Sequence, residues 1–107
     1  MTPRIPELGR FAEPALLILV SLSDGPKHGY AIMTDVEATI GHPMGAGTLY
    51  AALARLEERG LIEALTPVDR RRPYRLTAVG SGALTEQMHD LAEFAQLGLR
   101  RLGEAPL

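Results

Sequence analysis

The densest charge in the chain is the row Arg70-Arg71-Arg72, with Arg75 just beyond it and only Asp69 opposing. Four of the 11 basic residues thus fall within one short stretch. A guanidinium presents several N–H donors in a planar fork that matches phosphate oxygens, so such a row suits a polyanion or a narrow groove in one. The bland alternative is a solvated turn kept soluble by its charge. A second set lies upstream, where Thr48, Tyr50, Ala51, Ala54 and Arg55 share one side of a helical projection and Leu49, Leu53 and Leu56 form the other. Small alanines let a helix approach another surface closely and can meet a thymine methyl, while the hydroxyls of Thr48 and Tyr50 reach phosphates or base edges. The competing reading has Tyr50 packed beneath the helix and Thr48 acting only as its cap.

Other chemistry is not spelled out. Gly45-Ala46-Gly47 resembles the start of a dinucleotide loop, but it follows a helix and lacks the third glycine. His28, His42 and His89 have no ligand-like spacing, so no metal site is expected. With no cysteine, thiolate ligands, thiol nucleophiles and disulfides are excluded. Glu57, Glu58 and Glu63 read as solvated carboxylates. No catalytic constellation declares itself, and the expectation is a non-enzyme without a cofactor.

The elements that would position the two polar sets follow from periodicity. Residues 1–10, with two prolines, a glycine and scattered charges, read as an arm. Ala15 to Leu22 is apolar on all sides, which predicts a buried helix stopped by Asp24-Gly25-Pro26, with Gly25 available as a left-handed cap. A second helix, from His28 or Gly29 to Ile40, carries the one-sided stripe Ile32, Met33, Val36 and Ile40. Gly41 to Gly45 breaks the chain, and a third helix begins at Ala46 to Thr48 and ends at Gly60. Leu61–Leu65 and Pro73–Thr77 alternate around Thr66 to Arg72 as a two-stranded hairpin.

From about Ala78 to Leu102 a long helix carries Leu84, Leu91 and Gly98 at heptad spacing, interleaved with Met88, Ala95 and Leu102, and adds Phe94, Leu97 and Leu99. One small core cannot cover all of these. A second copy is the simplest cover, with Leu84, Met88, Leu91, Phe94, Ala95 and Leu102 as the dimer interface; the alternative is that the helix folds back on its own domain.

Two helices joined by a short glycine-containing turn and followed by a hairpin describe a mainly α fold, a winged helix-turn-helix over residues 11–77, with a dimerisation helix and tail over 78–107. In such a fold the third helix enters the DNA major groove and the hairpin lies alongside as a wing. The expected DNA-binding residues are therefore Thr48, Tyr50, Ala51, Arg55, Arg70, Arg71 and Arg72, and a two-fold dimer would read a palindromic operator in double-stranded DNA. A winged-helix module for protein partners would use the same surfaces.

A net charge of −2 argues superficially against such a partner. Divided by segment, residues 1–37 carry 3 basic and 5 acidic residues, 38–76 carry 6 and 4, and 77–107 carry 2 and 4. The positive third is the one holding the proposed recognition helix and wing. The longest apolar run falls well short of the ~20 residues a membrane span needs, and the first residues lack a secretory pattern. A cytoplasmic protein with no membrane partner is expected.

Three runs carry a family resemblance: Leu19 to Ile32, with Gly25-Pro26-Lys27-His28-Gly29-Tyr30 at its centre; Gly47-Thr48-Leu49-Tyr50 through Gly60-Leu61-Ile62-Glu63; and Tyr74-Arg75-Leu76-Thr77 to Gly80. In that order they resemble the PadR family of bacterial transcriptional regulators. The resemblance implies a dimeric winged helix-turn-helix repressor, dimerised by its C-terminal helix and responsive to small molecules, small aromatic effectors among them. It matches Thr48 and Tyr50 to the start of the recognition helix, Arg70 to Arg72 to the basic wing, and the segment from Gly25 to Tyr30 to a structural turn. A single C-terminal helix fits the shorter subfamily. The chain departs from the pattern at Pro73, and with no tryptophan and only two phenylalanines it does not support an aromatic-stacking drug pocket.

Overall fold

The computed structural model describes residues 13–41 and 43–104; the expected arm at residues 1–10 and His42 lie outside them. The first helix, α1, spans Pro14–Leu22, with proline at a position where its missing N–H has no helical partner to lose. Leu17, Ile18, Leu19 and Leu22 are buried, as an all-round apolar helix requires. The helix closes at Ser23 in a right-handed conformation, and Gly25 follows at φ +142°, so Gly25 serves the turn beyond the helix and not as the left-handed cap expected of it. The Lys27 ammonium donates to the Ser21 carbonyl and to the Asp24 carboxylate, pinning this turn.

Helix α2, Gly29–Asp35, runs directly into one π-helical turn, Val36–Ile40, which ends where Gly41 turns left-handed at φ +74°. The two segments together fill the expected second helix, but its last turn is widened. Ile32 and Val36 are buried, α2 packing against α1 and the third helix and the π turn against α1. The buried Ser21 hydroxyl donates to Asp35 Oδ2 at 2.7 Å and the Thr39 hydroxyl donates to Oδ1 at 2.9 Å. These two bonds, Ser21 first, hold the Asp35 carboxyl below the usual carboxylate range.

Helix α3, Ala46–Glu58, buries Leu49, Ala52, Leu53 and Leu56, the predicted stripe with one alanine added. Gly60, at φ +76°, ends it: Leu61 N–H donates to the Leu56 carbonyl and Gly60 N–H to the Glu57 carbonyl, each at 3.0 Å, so two orphan carbonyls are satisfied at once.

Strands β2, Ile62–Ala64, and β3, Pro73–Leu76, pair antiparallel with Glu63 opposite Arg75. The hairpin is not two-stranded. A short strand β1, Lys27–His28, pairs with the other edge of β3, Lys27 opposite Tyr74 and His28 opposite Pro73, giving the order β1-β3-β2. Two residues after a proline display no alternation, so periodicity had nothing with which to mark β1.

Helix α4, Ala78–Arg101, is fastened at its start. The Thr77 hydroxyl accepts from Gly80 N–H at 3.0 Å and donates to the Gly60 carbonyl at 2.6 Å. Gly80 lies so close to the α3–β2 junction that a Cβ there would stand 1.8 Å from the Leu61 carbonyl oxygen. Leu84, assigned from the heptad to the dimer seam, is instead buried in the core of its own chain, and Met88 packs partly against that core. The heptad spacing is real, but its first positions face α1 and the sheet. At about 1.5 Å per residue, α4 outruns the domain, and the molecule is accordingly elongated, 51 × 29 × 20 Å.

Candidate nucleic-acid interface

The face of α3 turned away from the core exposes Thr48, Tyr50, Ala51, Ala54 and Arg55. Tyr50 is 53% exposed, which removes the reading that it packs beneath the helix. Thr48 is not a cap either: the N-cap residue is Gly45, and no side chain caps this end. The Tyr50 ring leans toward α2, where its hydroxyl would stand 2.5 Å from a Cβ on Gly29; glycine at 29 makes room for it.

Beyond β2 the chain reverses through a tight turn. Val68 and Arg71 exchange both backbone hydrogen bonds, at 2.8 and 2.9 Å, and the two residues between them, Asp69 and Arg70, take φ +50° and +66°. This is the twist-matched reversal that favours Asn-Gly, so an arginine at its second position sits against its backbone preference. The arginine row is thereby held on a hairpin tip. Arg75 is not available with it: its guanidinium is bound to Glu63 Oε1 at 2.5 Å across the strand pair.

Tip, recognition helix and the β1–α2 junction line a cleft of about 440 Å³, to which Tyr30, Tyr50, Tyr74, His28 and the arginines Arg70, Arg71 and Arg72 contribute. Burial, followed by the nearby Glu57 carboxylate, pushes the Tyr74 hydroxyl above the ordinary tyrosine range. Of the seven residues expected to meet DNA, Tyr50 and the three arginines line this cleft. Thr48, Ala51 and Arg55 are exposed on α3 and do not line it. His28, Tyr30 and Tyr74 were missed as contributors. The first two sit in a turn that reads as structural, and nothing in linear spacing announces that residues 28–30, 50 and 70–74 converge.

At the far end of α4, Phe94 is 75% and Leu102 is 80% exposed, Leu97 and Ala95 are exposed, and Leu91 is half-buried. Among the described residues no group of three or more His, Asp or Glu side chains is placed to hold a metal ion, and no helix is long and apolar enough to cross a membrane.

Three helices, a three-stranded wing and an exposed helix face beside it define a winged helix-turn-helix. Residues 18–86 match the model of the transcriptional regulator PadR-like family. The chain belongs to that family, which is one of transcription regulators and not of enzymes. It is 38% identical over 84 residues to a Mycobacterium tuberculosis transcriptional regulator, covering 76% of this chain and 78% of that protein. It is 42% identical over 86 residues to an uncharacterized 37.1 kDa protein in a transposon, from Streptomyces fradiae; this covers 80% of the chain but only 25% of the length of that protein. Among solved structures, a transcriptional regulator from Clostridium thermocellum shares the fold at a TM-score of 0.73 and 24% identity, over 92% of this chain and 97% of that one. Bacillus subtilis PadR in complex with operator DNA superposes at a TM-score of 0.64 and 24% identity, over 69% of this chain and 45% of that one.

Proposed function

We propose that the protein is a homodimeric repressor that binds a palindromic operator in double-stranded DNA, with α3 in the major groove and the wing on the adjoining backbone. The observation that carries this reading is the convergence of Tyr50 and three arginines on one cleft beside the exposed face of α3. Guanidinium groups on phosphates supply sequence-independent affinity, and the alanine-lined helix face supplies close approach to bases. The fold likeness to a regulator solved in complex with operator DNA supports DNA as the partner. The distal apolar face of α4, bearing Phe94 and Leu102, is covered by a second copy, which sets two half-sites about 34 Å apart. A small-molecule effector held beside the paired α4 helices relieves repression.

Titrating the protein with a fragment of its own upstream DNA at rising salt tests the DNA reading. Each phosphate neutralised contributes about −0.9 to the log–log slope, and replacing Arg70, Arg71 and Arg72 by alanine should flatten that slope while leaving dimerisation intact. DNA binding unchanged in that triple variant would instead favour a winged-helix module for protein partners. Repression is tested by a reporter driven from the same fragment, whose output should fall when the protein is expressed and recover with effector.

A further inference from the structure

Within the cleft, His28 and Arg71 face each other in a way that a closed structure does not leave unanswered. The Ala31 N–H donates to His28 Nδ1 at 3.3 Å. An imidazole nitrogen that accepts a hydrogen bond carries no proton, so the neutral ring bears its proton on Nε2. Nε2 stands 3.4 Å from Arg71 Nη1, and an arginine nitrogen only donates. Two donors therefore converge, and among the described residues neither has an acceptor. An anionic oxygen seated against both would turn a donor–donor contact into two hydrogen bonds, one of them charge-assisted. The hydroxyl of Tyr50, held over Gly29, and the side chains of Tyr30, Arg70 and Arg72 line the same space. Its lining comes from the recognition helix and the wing, the two elements the proposed function lays on DNA, and from the start of α2.

We infer that this cleft seats one phosphate of the DNA backbone, gripped between His28 Nε2–H and the Arg71 guanidinium, with His28 serving as a neutral phosphate ligand that locks the register of the wing against α2. This rests on the DNA-binding reading above and adds to it a specific group, a specific tautomer and a binding residue outside the recognition helix and the arginine-bearing hairpin. The Ala31 bond does the selecting: it fixes which nitrogen faces the cleft.

The test is an affinity measurement on a short duplex of arbitrary sequence at low salt, since a backbone contact needs no operator. His28→Asn keeps an acceptor near the Nδ1 position for Ala31 N–H but has nothing that reaches to Nε2; His28→Gln places an amide N–H close to Nε2. His28→Asn should weaken duplex binding about tenfold, the usual size for a lost hydrogen bond to a charged group, with the salt slope unchanged because a neutral imidazole displaces no counterion. His28→Gln should recover most of that loss. Arg71→Ala should both weaken binding and reduce the slope by about 0.9. The double variant His28→Asn/Arg71→Ala should lose less than the product of the single losses, because both side chains hold one group.

A His28→Asn protein with wild-type melting temperature and duplex affinity within about twofold of wild type, or strictly multiplicative losses, overturns the inference while leaving the DNA reading standing. Wild-type protein that binds no duplex at low salt overturns both. Inorganic phosphate at millimolar concentration is the control for source: the His28 ring resonances should move with duplex and stay put with phosphate. A shift with phosphate alone would assign the cleft to a free anion and overturn the backbone assignment.

Discussion

The two halves of α4 share one heptad and do opposite things. The first half is clasped: Thr77 caps it, Gly80 abuts the Leu61 carbonyl, and Leu84 is sunk in the core. The second half is bare, with Phe94, Leu97 and Leu102 facing outward. The apolar side of one helix thus changes partner midway, from its own domain to what we propose is a second copy. A periodic stripe states that a face will be covered, not by what. Substitutions in the clasped half should act on folding at any protein concentration, and those in the bare half on assembly.

Gly80→Ala should give the largest effect, since its Cβ would meet a backbone oxygen that no rotamer change can move. A loss of about 3 kcal/mol or more, the upper end for overpacking, is expected in urea unfolding. Leu84→Ala should cost about 2 to 3 kcal/mol through transfer and cavity terms, and the loss should be the same at low and high protein concentration. A concentration-dependent loss there would return Leu84 to the dimer seam. Phe94→Asp should leave the far-ultraviolet circular dichroism of the winged helix intact yet shift sedimentation to monomer, a weakening of about 2 kcal/mol or more if Phe94 is a central anchor. A wild-type dimer from that variant would break the comparison.

Two smaller effects sharpen the contrast between wing and core. Arg70→Gly relieves a left-handed arginine and should stabilise the fold by about 1 kcal/mol, seen as a raised melting temperature, while lowering DNA affinity. Ser21→Ala removes the first hydrogen bond that lowers the pKa of Asp35 and should cost about 1 kcal/mol at neutral pH. Because the folded carboxyl lies below its unfolded value, the stability it confers is complete above the ordinary aspartate range and disappears as pH falls through the lowered value. The difference between wild type and Ser21→Ala should therefore shrink in acid, and acid unfolding curves will show whether it does.

Much of the frame was legible because its signals are local. Leu49, Leu53 and Leu56 recur at helical spacing on a segment bounded by glycines, and the structure buries all three. Gly60 ends α3 through its left-handed backbone, and the hairpin strands lie where alternation placed them. What stayed hidden depends on distance in space. Strand β1 is recognisable only by its partner Tyr74-Pro73, and the widening of the second helix at Val36–Ile40 leaves no mark in periodicity. The site divides likewise. The arginine row and Tyr50 advertise themselves by type, whereas Gly29 matters because Tyr50 leans over it, and His28 because Ala31 fixes one side of its ring.

The third strand also has a thermodynamic meaning for the wing. A hairpin standing alone is marginally stable in water, and a loop that must be ordered at the moment of contact spends part of its interaction free energy on lost chain entropy. Here β3 is the central strand, flanked by β1 and β2, so the strand that follows the tip is paired on both edges before any partner arrives. Its arginines are presented already aimed. Weak encounters with a polyanion would then discriminate by fit from the first collision, and dissociation need not wait for a loop to melt.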